Sequence, residues 1–268
     1  MHGPRTRHEA SARERIPIYD GSLTMARQRI TTAVSLAAVS GRRGSLAAER
    51  GTAGEEAYER LREAIVHCHL RPAAVLSEAD LAEQLGVSRT PIREALRRLA
   101  GEGLLEVSPQ VGTFVSKLRR STIADALFLR ESIECAAARL AVRAPLEERK
   151  RLLLFVSRQR AAIRAGDVEE NLRQDEALHK RLVELSGHPG AWEAVRQARA
   201  HLERLRRIAI PELHGNRTAV EQHEQIATAI VNGDANAAAA HLRTHIRLIE
   251  GFLDGIAAHH PDYFDDSN

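Results

Sequence analysis

Two groups of side chains in this sequence have a spacing that could support binding chemistry. Arg89, Arg93 and Arg97 recur every four residues, so in a helix they share one face and can contact phosphates or guanine edges. Asp175 and His179 are also four residues apart. In a helix their carboxylate and imidazole lie one turn apart and can chelate a metal. The sequence therefore offers a candidate nucleic-acid surface and a candidate metal site.

Each pattern also has a simpler interpretation. A stripe of charge along a helix is most often a solvated face. The chain contains 13 histidines, so an aspartate and a histidine at this spacing can occur by chance, and a single histidine on a helix is usually structural. The segments around each group decide between these interpretations.

The arginine stripe lies within residues 76–100, which we expect to form two short helices. Ser77 can cap the first helix, and Gly86 can end it in the left-handed conformation. Ser88 can cap the second helix, and Pro91 falls in its first turn, where a missing N–H has no cost. The apolar residues of the second helix recur at helical spacing and should face a core: Ile92, Ala95, Leu96 and Leu99.

The flanking segments predict a small domain around these two helices. Residues 55–69 have a helical apolar pattern. Leu104–Val107 and Thr113–Ser116 resemble two short strands joined by the turn sequence SPQVG. Together these elements predict a small domain over residues 55–117, in which two short helices are flanked by a further helix and a hairpin.

The string GVSRTPIREALRRLAGEGLLEV, followed by PQVGTFVS, is similar to the winged helix-turn-helix of the GntR family of bacterial transcription regulators. The resemblance implies that Ser88, Arg89, Thr90 and Arg93 contact DNA, and that the tip of the wing near Gly112 reaches the minor groove. With Arg97 from the arginine stripe, these residues form the predicted DNA-binding set.

The rest of the chain has the pattern of an all-helical bundle, since no alternating strand pattern occurs in it. Proline and glycine punctuation predicts six helices, at 122–143, 146–165, 167–186, 189–212, 216–232 and 234–258. This region resembles the FCD effector domain of the FadR branch. The resemblance implies four metal ligands, Asp175, His179, His223 and His245, which suit a divalent ion such as zinc, nickel or manganese.

Arg130 corresponds to a position where FCD domains often hold an arginine that faces the ligand cavity. A guanidinium there could bind the carboxylate of a small organic acid effector through two hydrogen bonds. Alternatively, Arg130 pairs with Glu134, four residues later, on the surface of the helix. We leave both interpretations open at this point.

Composition restricts the remaining possibilities. The sequence has no Gly-rich phosphate loop, nucleophile triad or HExxH motif, so we expect a protein that is not an enzyme. Cys68 and Cys135 have no paired spacing, and no apolar run is long enough to span a membrane. We therefore expect a cytoplasmic protein.

The predicted organisation has five segments. An extension expected to be disordered (1–54) precedes the winged helix-turn-helix domain (55–117). A linker (118–121) leads to the helical effector and metal-binding domain (122–258), and a tail (259–268) follows. The extension is rich in arginine and has no sustained periodicity. It could be a flexible basic arm or the product of a misplaced start codon.

These features predict a mostly α-helical, homodimeric regulator, expected to be a repressor, that binds a double-stranded DNA operator and responds to a small organic acid. Two alternatives remain. In one, the metal ion itself is the effector. In the other, the bundle is a metal-dependent hydrolase in which Asp175 or Glu176 acts as a base beside a metal-bound water.

Overall fold

The computed structural model describes residues 52–209 and 217–265. In these ranges the chain is mostly helical, with one small sheet. The strands are β1 (Val75–Leu76), β2 (Leu105–Ser108) and β3 (Gly112–Val115). The helices are α1 (Ala53–Val66), α2 (Glu78–Leu85), α3 (Arg89–Gly101), α4 (Arg120–Ala141), α5 (Leu146–Lys150), α6 (Leu152–Ala165), α7 (Val168–Leu185), α8 (Ala191–Ala209), α9 (Arg217–Asn232), α10 (Ala235–Arg247) and α11 (Glu250–His259).

The N-terminal domain begins earlier than the sequence predicted. Helix α1 starts at Ala53, and the Thr52 side chain caps it by accepting a hydrogen bond from the Glu55 amide at 3.3 Å. Residues 52–54 therefore belong to the ordered domain and not to the predicted extension. Residues 1–51 lie outside the described part of the chain.

The two short helices predicted between residues 76 and 100 are α2 and α3. The Ser77 side chain accepts a hydrogen bond from the Asp80 amide at 3.3 Å, and Gly86 ends α2 with a φ of 67°. Ser88 is the N-cap residue of α3, but its side chain makes no capping hydrogen bond. The predicted apolar face of α3 is buried: Ile92, Ala95, Leu96 and Leu99.

The wing is a three-stranded antiparallel sheet in the order β1-β3-β2. In the central strand, Phe114 lies opposite Val75 on one side and Glu106 on the other. The hairpin of β2 and β3 was predicted from the sequence. Strand β1 was missed, because two residues are too few to show an alternating pattern.

The turn before β1 contains a residue with unusual backbone geometry. Ala73 has a φ of 65°, in the left-handed region that favours glycine. Its amide donates to the Val115 carbonyl at 2.8 Å, which ties the turn to β3. The sheet therefore holds an alanine in a conformation with a steric cost of about 1–2 kcal/mol.

Replacing Ala73 with glycine is expected to stabilise the winged domain. The side chain of Ala73 is exposed, so its loss removes strain without leaving a cavity, and we expect a gain of roughly 0.5–1 kcal/mol. Thermal unfolding of the two chains measures the difference. The matched control is Ala161→Gly at an exposed position inside α6, which should lose about 1 kcal/mol. Equal losses at both positions would contradict the strain argument.

The C-terminal domain contains more helices than the six predicted. The segment predicted as 146–165 divides at Arg151 into α5 and α6, and the segment predicted as 234–258 divides after Arg247 into α10 and α11. Neither break has a glycine or proline at the junction, so the punctuation used for prediction could not detect it. The helix predicted as 189–212 is described to Ala209, and its predicted end lies outside the described residues.

The predicted linker, 118–121, is part of the helical domain. Leu118 is fully buried and pairs in parallel with Phe264, and α4 begins at Arg120. The Leu118 amide donates to the Tyr263 carbonyl at 2.8 Å. The linker and the start of the predicted tail therefore pack together, because each contributes an apolar side chain to the same core.

Helix α8 belongs to both domains. Ala200 packs into the core of the winged domain, whereas Leu202 and Leu205 pack into the core of the helical domain. The two cores are otherwise formed from separate parts of the chain. One helix thus connects the elements that carry the arginine stripe to those that carry the proposed metal ligands.

Candidate DNA-binding surface and metal centre

The polar residues predicted on α3 lie on one exposed surface. Ser88, Arg89, Thr90, Arg93 and Arg97 are all exposed, while the opposite face of the helix packs against the domain core. The side chains needed for contact with a duplex are therefore outside the protein interior. The exposed polar face predicted from residue spacing is present in the structure, and its contact with DNA stays a prediction.

Arg93 has an ion-pair partner on the neighbouring helix. Its Nε donates to a Glu78 carboxylate oxygen at 2.7 Å, with 63% of the Arg93 side chain and 39% of the Glu78 side chain exposed. An exposed pair of this kind contributes little stability, about 0–1 kcal/mol. Arg93 can therefore exchange Glu78 for a phosphate or base edge at small cost.

Arg98, which follows the stripe, has a different role. It donates to the Glu55 carboxylate at 2.6 Å, and its guanidinium lies 3.7 Å from the centre of the Tyr58 ring. Both partners belong to α1. These contacts fix α3 against α1 and position the exposed arginines on a rigid element.

The structure places Gly112 within the wing but not at its tip. Gly112 is the first residue of β3 and pairs with Ser108. The tip is formed by residues 109–111, with Gln110 at a φ of 63° and the Val111 side chain 72% exposed. The tip of the wing is therefore the turn just before Gly112, and a contact of this tip with DNA stays a prediction.

The four predicted metal ligands meet inside the helical domain. Asp175 and His179 come from α7, His223 from α9 and His245 from α10. One ligand atom from each residue lies within 4.8 Å of the others, and all four side chains are almost fully buried. A carboxylate oxygen and three imidazole nitrogens form a donor set suited to a divalent transition metal.

Neighbouring oxygens fix the orientation of each imidazole. Nδ1 of His179 donates to the Glu134 carboxylate. Nδ1 of His223 donates to the Gln159 amide oxygen at 2.8 Å, and Nδ1 of His245 to the Gln222 amide oxygen at 3.2 Å. With every Nδ1 protonated, each Nε2 has its lone pair available, as in proteins that hold metals through oriented histidines. The three hydrogen-bonding partners are Glu134, Gln159 and Gln222.

The centre of this cluster has an excess of hydrogen-bond acceptors. Nε2 of His223 lies 3.1 Å from Nε2 of His245 and 3.5 Å from a carboxylate oxygen of Asp175. Nε2 of His179 is buried without a hydrogen-bond partner among the described residues. Lone pairs that face one another at these distances repel, and a cation between them would relieve the repulsion. The residues therefore fit a bound metal ion.

Electrostatics keep the ligands in the protonation states that metals require. Burial lowers the pKa of His223 to about 3, and burial also lowers the pKa values of His179 and His245. Burial opposes ionisation of Asp175, but the nearby Arg206 and Arg199 guanidinium groups hold its pKa well below the usual value. At neutral pH the site therefore presents neutral imidazoles and an ionised carboxylate.

The sequence left two interpretations of Arg130 open, an ion pair with Glu134 and a position facing a ligand cavity. The structure has features of both. It donates to Glu134 at 2.6 Å, as the helical spacing allows, but the pair is buried and not on the surface. Arg130 also lines a small cavity of about 40 Å³ together with Arg206 and His245. The guanidinium therefore binds one oxygen of the Glu134 carboxylate, whose other oxygen orients His179, and it faces a cavity beside the candidate metal ligands.

Comparison with known proteins identifies both domains. The family model described as "Bacterial regulatory proteins, gntR family" matches residues 53–115, and the FCD domain model matches residues 125–248. Together the two matches cover most of the chain. It belongs to the GntR family. The resemblance inferred from the sequence is confirmed, as is the fold class of a winged helix-turn-helix followed by an all-helical domain.

The relatives of this GntR protein are regulators. An "Uncharacterized HTH-type transcriptional regulator in unstable DNA locus" of Streptomyces ambofaciens is 39% identical over 207 residues, which cover 77% of this chain and 87% of the relative. The HTH-type transcriptional repressor RspR of Escherichia coli K12 is 30% identical over 177 residues, or 66% of this chain and 78% of RspR. This chain is thus a DNA-binding transcriptional regulator of the GntR/FCD type and not an enzyme.

Solved structures share the same fold. E. coli McbR/YncC has a TM-score of 0.69 at 22% identity, covering 77% of this chain and 99% of that chain. A GntR regulator from Rhodococcus sp. RHA1 has a TM-score of 0.65 at 22% identity, covering 75% of this chain and 97% of that chain. In the part of the GntR chain that the structure describes, no helix has the length and apolar character needed to cross a membrane.

The structure adds functional candidates that sequence reasoning missed, two of which come from α8. Arg206 donates to both oxygens of Asp175, at 2.9 and 3.1 Å, and Arg199 donates to the same carboxylate. Arg206 is near the end of α8, where arginines are common for electrostatic reasons. Its role therefore had no distinctive sequence signal.

Other side chains of α8 contact the winged domain. Arg204 is fully buried and donates to both the hydroxyl and the carbonyl oxygens of Ser116, the residue after β3. Nε2 of His201 donates to the Glu102 carbonyl at 3.3 Å. Burial lowers the pKa of Arg204 to about 10, so this guanidinium is still charged at neutral pH. The candidate metal ligands and the winged domain thus both contact helix α8.

Proposed function

We propose that this GntR regulator is a homodimeric repressor whose affinity for its operator changes when a small carboxylate binds at a divalent metal in the helical domain. The winged domain, near residues 53–117, would bind DNA, and the domain after it would sense the effector. Each α3 would enter the major groove at one half of a pseudo-palindromic operator. Such a protein acts in the cytoplasm, where the DNA is.

The observation that carries this proposal is the position of α8 between the two sites. Arg199 and Arg206 bind Asp175 on one side of the helix, and Arg204 binds Ser116 beside the wing. Any ligand that changes the charge around Asp175 changes the contacts of Arg199 and Arg206. Such a change alters the free energy of one arrangement of α8 relative to another. Coupling between the effector site and the DNA-binding domain requires a difference of this kind.

The chemistry of the centre supports a carboxylate as the effector. A divalent ion held by Asp175, His179, His223 and His245 would supply positive charge and an open position for an anionic oxygen. Arg130 and Arg206 line the adjoining cavity, and a guanidinium can bind a carboxylate through two hydrogen bonds. Both features favour a small organic acid over a neutral or cationic ligand.

The small cavity also supports the second candidate, in which the ion itself is the effector. A volume of about 40 Å³ accommodates little more than one or two water molecules. In this case metal binding alone would shift the α8 contacts. The proposal that the protein is a repressor draws support from the relative RspR, which is named a transcriptional repressor.

We expect operator affinity to depend on both metal and carboxylate. In a fluorescence anisotropy titration with full-length protein and a DNA fragment selected by wild type, a carboxylate should change affinity by roughly 5- to 150-fold. This change should occur with protein loaded with Zn²⁺, Ni²⁺ or Mn²⁺ and vanish after chelation. A panel of small mono-, di- and tricarboxylates is the probe.

Arg130→Lys provides the matched variant for this experiment. Lysine retains the charge opposite Glu134 but lacks the planar pair of donors. We expect the variant to keep its metal and to respond less to the carboxylate. If operator affinity changed with metal loading and no carboxylate altered it, the result would instead favour the ion as the effector. An affinity insensitive to both would contradict the sensor proposal.

A further inference from the structure

Four polar side chains form a cluster where helix α8 meets the winged domain. Two come from α1, one from the residue that ends α3, and one from α8. The tyrosine is almost fully buried, and at most 18% of each of the other three side chains is exposed. These residues, which we call the Tyr58 cluster, are Tyr58, Arg62, Glu102 and Arg196.

The hydroxyl group of Tyr58 binds partners in both domains. It donates to the Glu102 carboxylate in the winged domain and accepts a hydrogen bond from Nη2 of Arg196 on α8 at 3.3 Å. Burial raises the pKa of Tyr58, so the hydroxyl is protonated and can donate at neutral pH. One hydroxyl group therefore connects α8 to the residue that ends α3.

Arg62 makes a second connection between the same elements. Its Nε donates to the other oxygen of the Glu102 carboxylate at 3.3 Å, and its Nη2 donates to the Arg196 carbonyl at 2.9 Å. Glu102 thus has a charged partner in a site with little solvent, where an unpaired carboxylate would be costly. The end of α3 is held to α8 through hydrogen bonds that depend on direction.

The ring of Tyr58 contacts α3 at another point. The Arg98 guanidinium of α3 lies 3.7 Å from the centre of the ring, at a distance that allows a cation–π interaction. The hydroxyl of the same side chain binds Glu102 at the C-terminal end of α3. A displacement of Tyr58 would therefore act on α3 at two positions, one turn apart.

The next turn of α8 contacts a candidate metal ligand. Arg199 donates to the Asp175 carboxylate. Arg196 and Arg199 are three residues apart, so they lie on one side of α8. A continuous series of contacts thus runs from Asp175 along α8 to the Tyr58 cluster and on to α3.

The space beside the Tyr58 cluster leaves room for α8 to move relative to α1. A cleft of about 710 Å³ lies between α1, α7 and α8, and its lining includes Arg62, Arg196 and Arg199. Among the described residues of α8, Ala200 alone belongs to the apolar core of the winged domain. Interfaces between domains that depend on polar contacts permit relative motion.

We propose that Tyr58 is a positioning residue that couples the candidate metal and effector site to α3. This inference rests on the proposed function and names the residue through which its regulation passes. A ligand that alters the contact between Arg199 and Asp175 shifts α8 relative to α1. The shift changes the hydrogen bond from Arg196 to the Tyr58 hydroxyl, and the orientation of α3 changes with it.

Tyr58→Phe tests the proposal, because phenylalanine keeps the ring and removes only the hydroxyl. The quantity to measure is the coupling factor, the ratio of the operator affinities of full-length protein with and without ligand. The ligand is Zn²⁺ together with the panel of carboxylates, and a chelator removes it. We expect the variant to lower the coupling factor by roughly 2- to 30-fold, while calorimetry gives an unchanged affinity for Zn²⁺ and the chelated protein keeps its operator affinity.

Arg196→Met removes the same hydrogen bond from the side of α8. We expect it to lower the coupling factor by a similar amount. Because both substitutions remove one shared contact, the double variant should lose no more coupling than either single variant. The matched control is Tyr263→Phe, which removes a tyrosine hydroxyl outside the Tyr58 cluster and should keep the wild-type coupling factor. Circular dichroism should give the same helical content for all variants.

The outcomes separate this role of Tyr58 from the proposed function. A wild-type coupling factor that is retained in both Tyr58→Phe and Arg196→Met overturns the role of Tyr58 and leaves the proposed function in place. Operator binding that weakens equally with and without ligand also overturns it, because such a loss reports a structural role only. A wild-type operator affinity that responds to neither metal nor carboxylate overturns both the role of Tyr58 and the sensor proposal.

Discussion

Replacing Arg93 with alanine is expected to reduce specific operator affinity by roughly 100-fold or more. A bidentate arginine contact to a base contributes about 1–3 kcal/mol of discrimination, and the proposed dimer makes the contact at both half-sites. The fold should be retained, because Arg93 is exposed and its pair with Glu78 contributes little stability. A gel shift at fixed salt, with specific and scrambled fragments, measures the loss.

Two further variants give this prediction a sharp control. Arg158→Ala removes one exposed arginine from α6, so it changes the net charge equally and should leave affinity unchanged. Glu78→Gln removes the competing carboxylate from Arg93 and should leave operator affinity equal or higher. If Arg93→Ala bound as tightly as wild type at every salt concentration, the recognition surface assigned to α3 would be wrong.

The salt dependence of the Arg93 variant identifies what the side chain contacts. Loss of a phosphate contact weakens binding to all sequences and lowers the slope of log affinity against log salt by about 1. Loss of a base contact lowers affinity for the specific fragment alone and relaxes the sequence preference. The same comparison applied to Arg89 and Arg97 would sort the whole stripe into positioning and specifying residues.

Local sequence signals were sufficient for the DNA-binding element. Gly86, the buried positions of α3 and the hairpin turn depend on interactions within a few residues, and the structure contains each of them. By contrast, the role of Arg206 depends on α8 packing against α7. That contact joins residues 31 positions apart in the chain, so neither helix shows it when taken alone.

The same distinction explains the errors in the helical domain. The breaks after Lys150 and Arg247 have no glycine or proline at the junction residues, so local punctuation does not mark them. The buried pair of Leu118 and Phe264 joins the two ends of the domain, and no local pattern reports such a contact. The candidate metal ligands lie between these cases, since only the pair on α7 has a local spacing that suggests chelation.

The contacts around the metal ligands also explain why this site is built from charged residues. Removing one partner of a buried ion pair leaves the other charge without compensation, at a cost of about 3–5 kcal/mol. Asp175 has two guanidinium partners and Glu134 has Arg130. Each carboxylate is therefore compensated when no cation is present.

Replacing His223 with alanine is expected to remove the metal from the purified protein, from about one ion per chain to none. The variant loses one Nε2 donor from the centre of the cluster, where the Nε2 atoms of His223 and His245 are 3.1 Å apart. Metal content by mass spectrometry measures the change. Because ligand binding stabilises the folded state, a chelator should lower the melting temperature of wild type but not that of the variant.

The conservative comparison for this prediction is Gln159→Leu, which keeps all four ligands but removes the oxygen that orients His223. Loss of such an orienting group typically weakens metal binding by about 10- to 100-fold, so this variant should bind metal at high concentration only. His241→Ala, one turn before His245, should retain its metal. Equal metal content in wild type and His223→Ala would show that the ion binds elsewhere in the chain. The coordination inferred from the geometry uses four donors, so a site left with three donors should bind the ion more weakly.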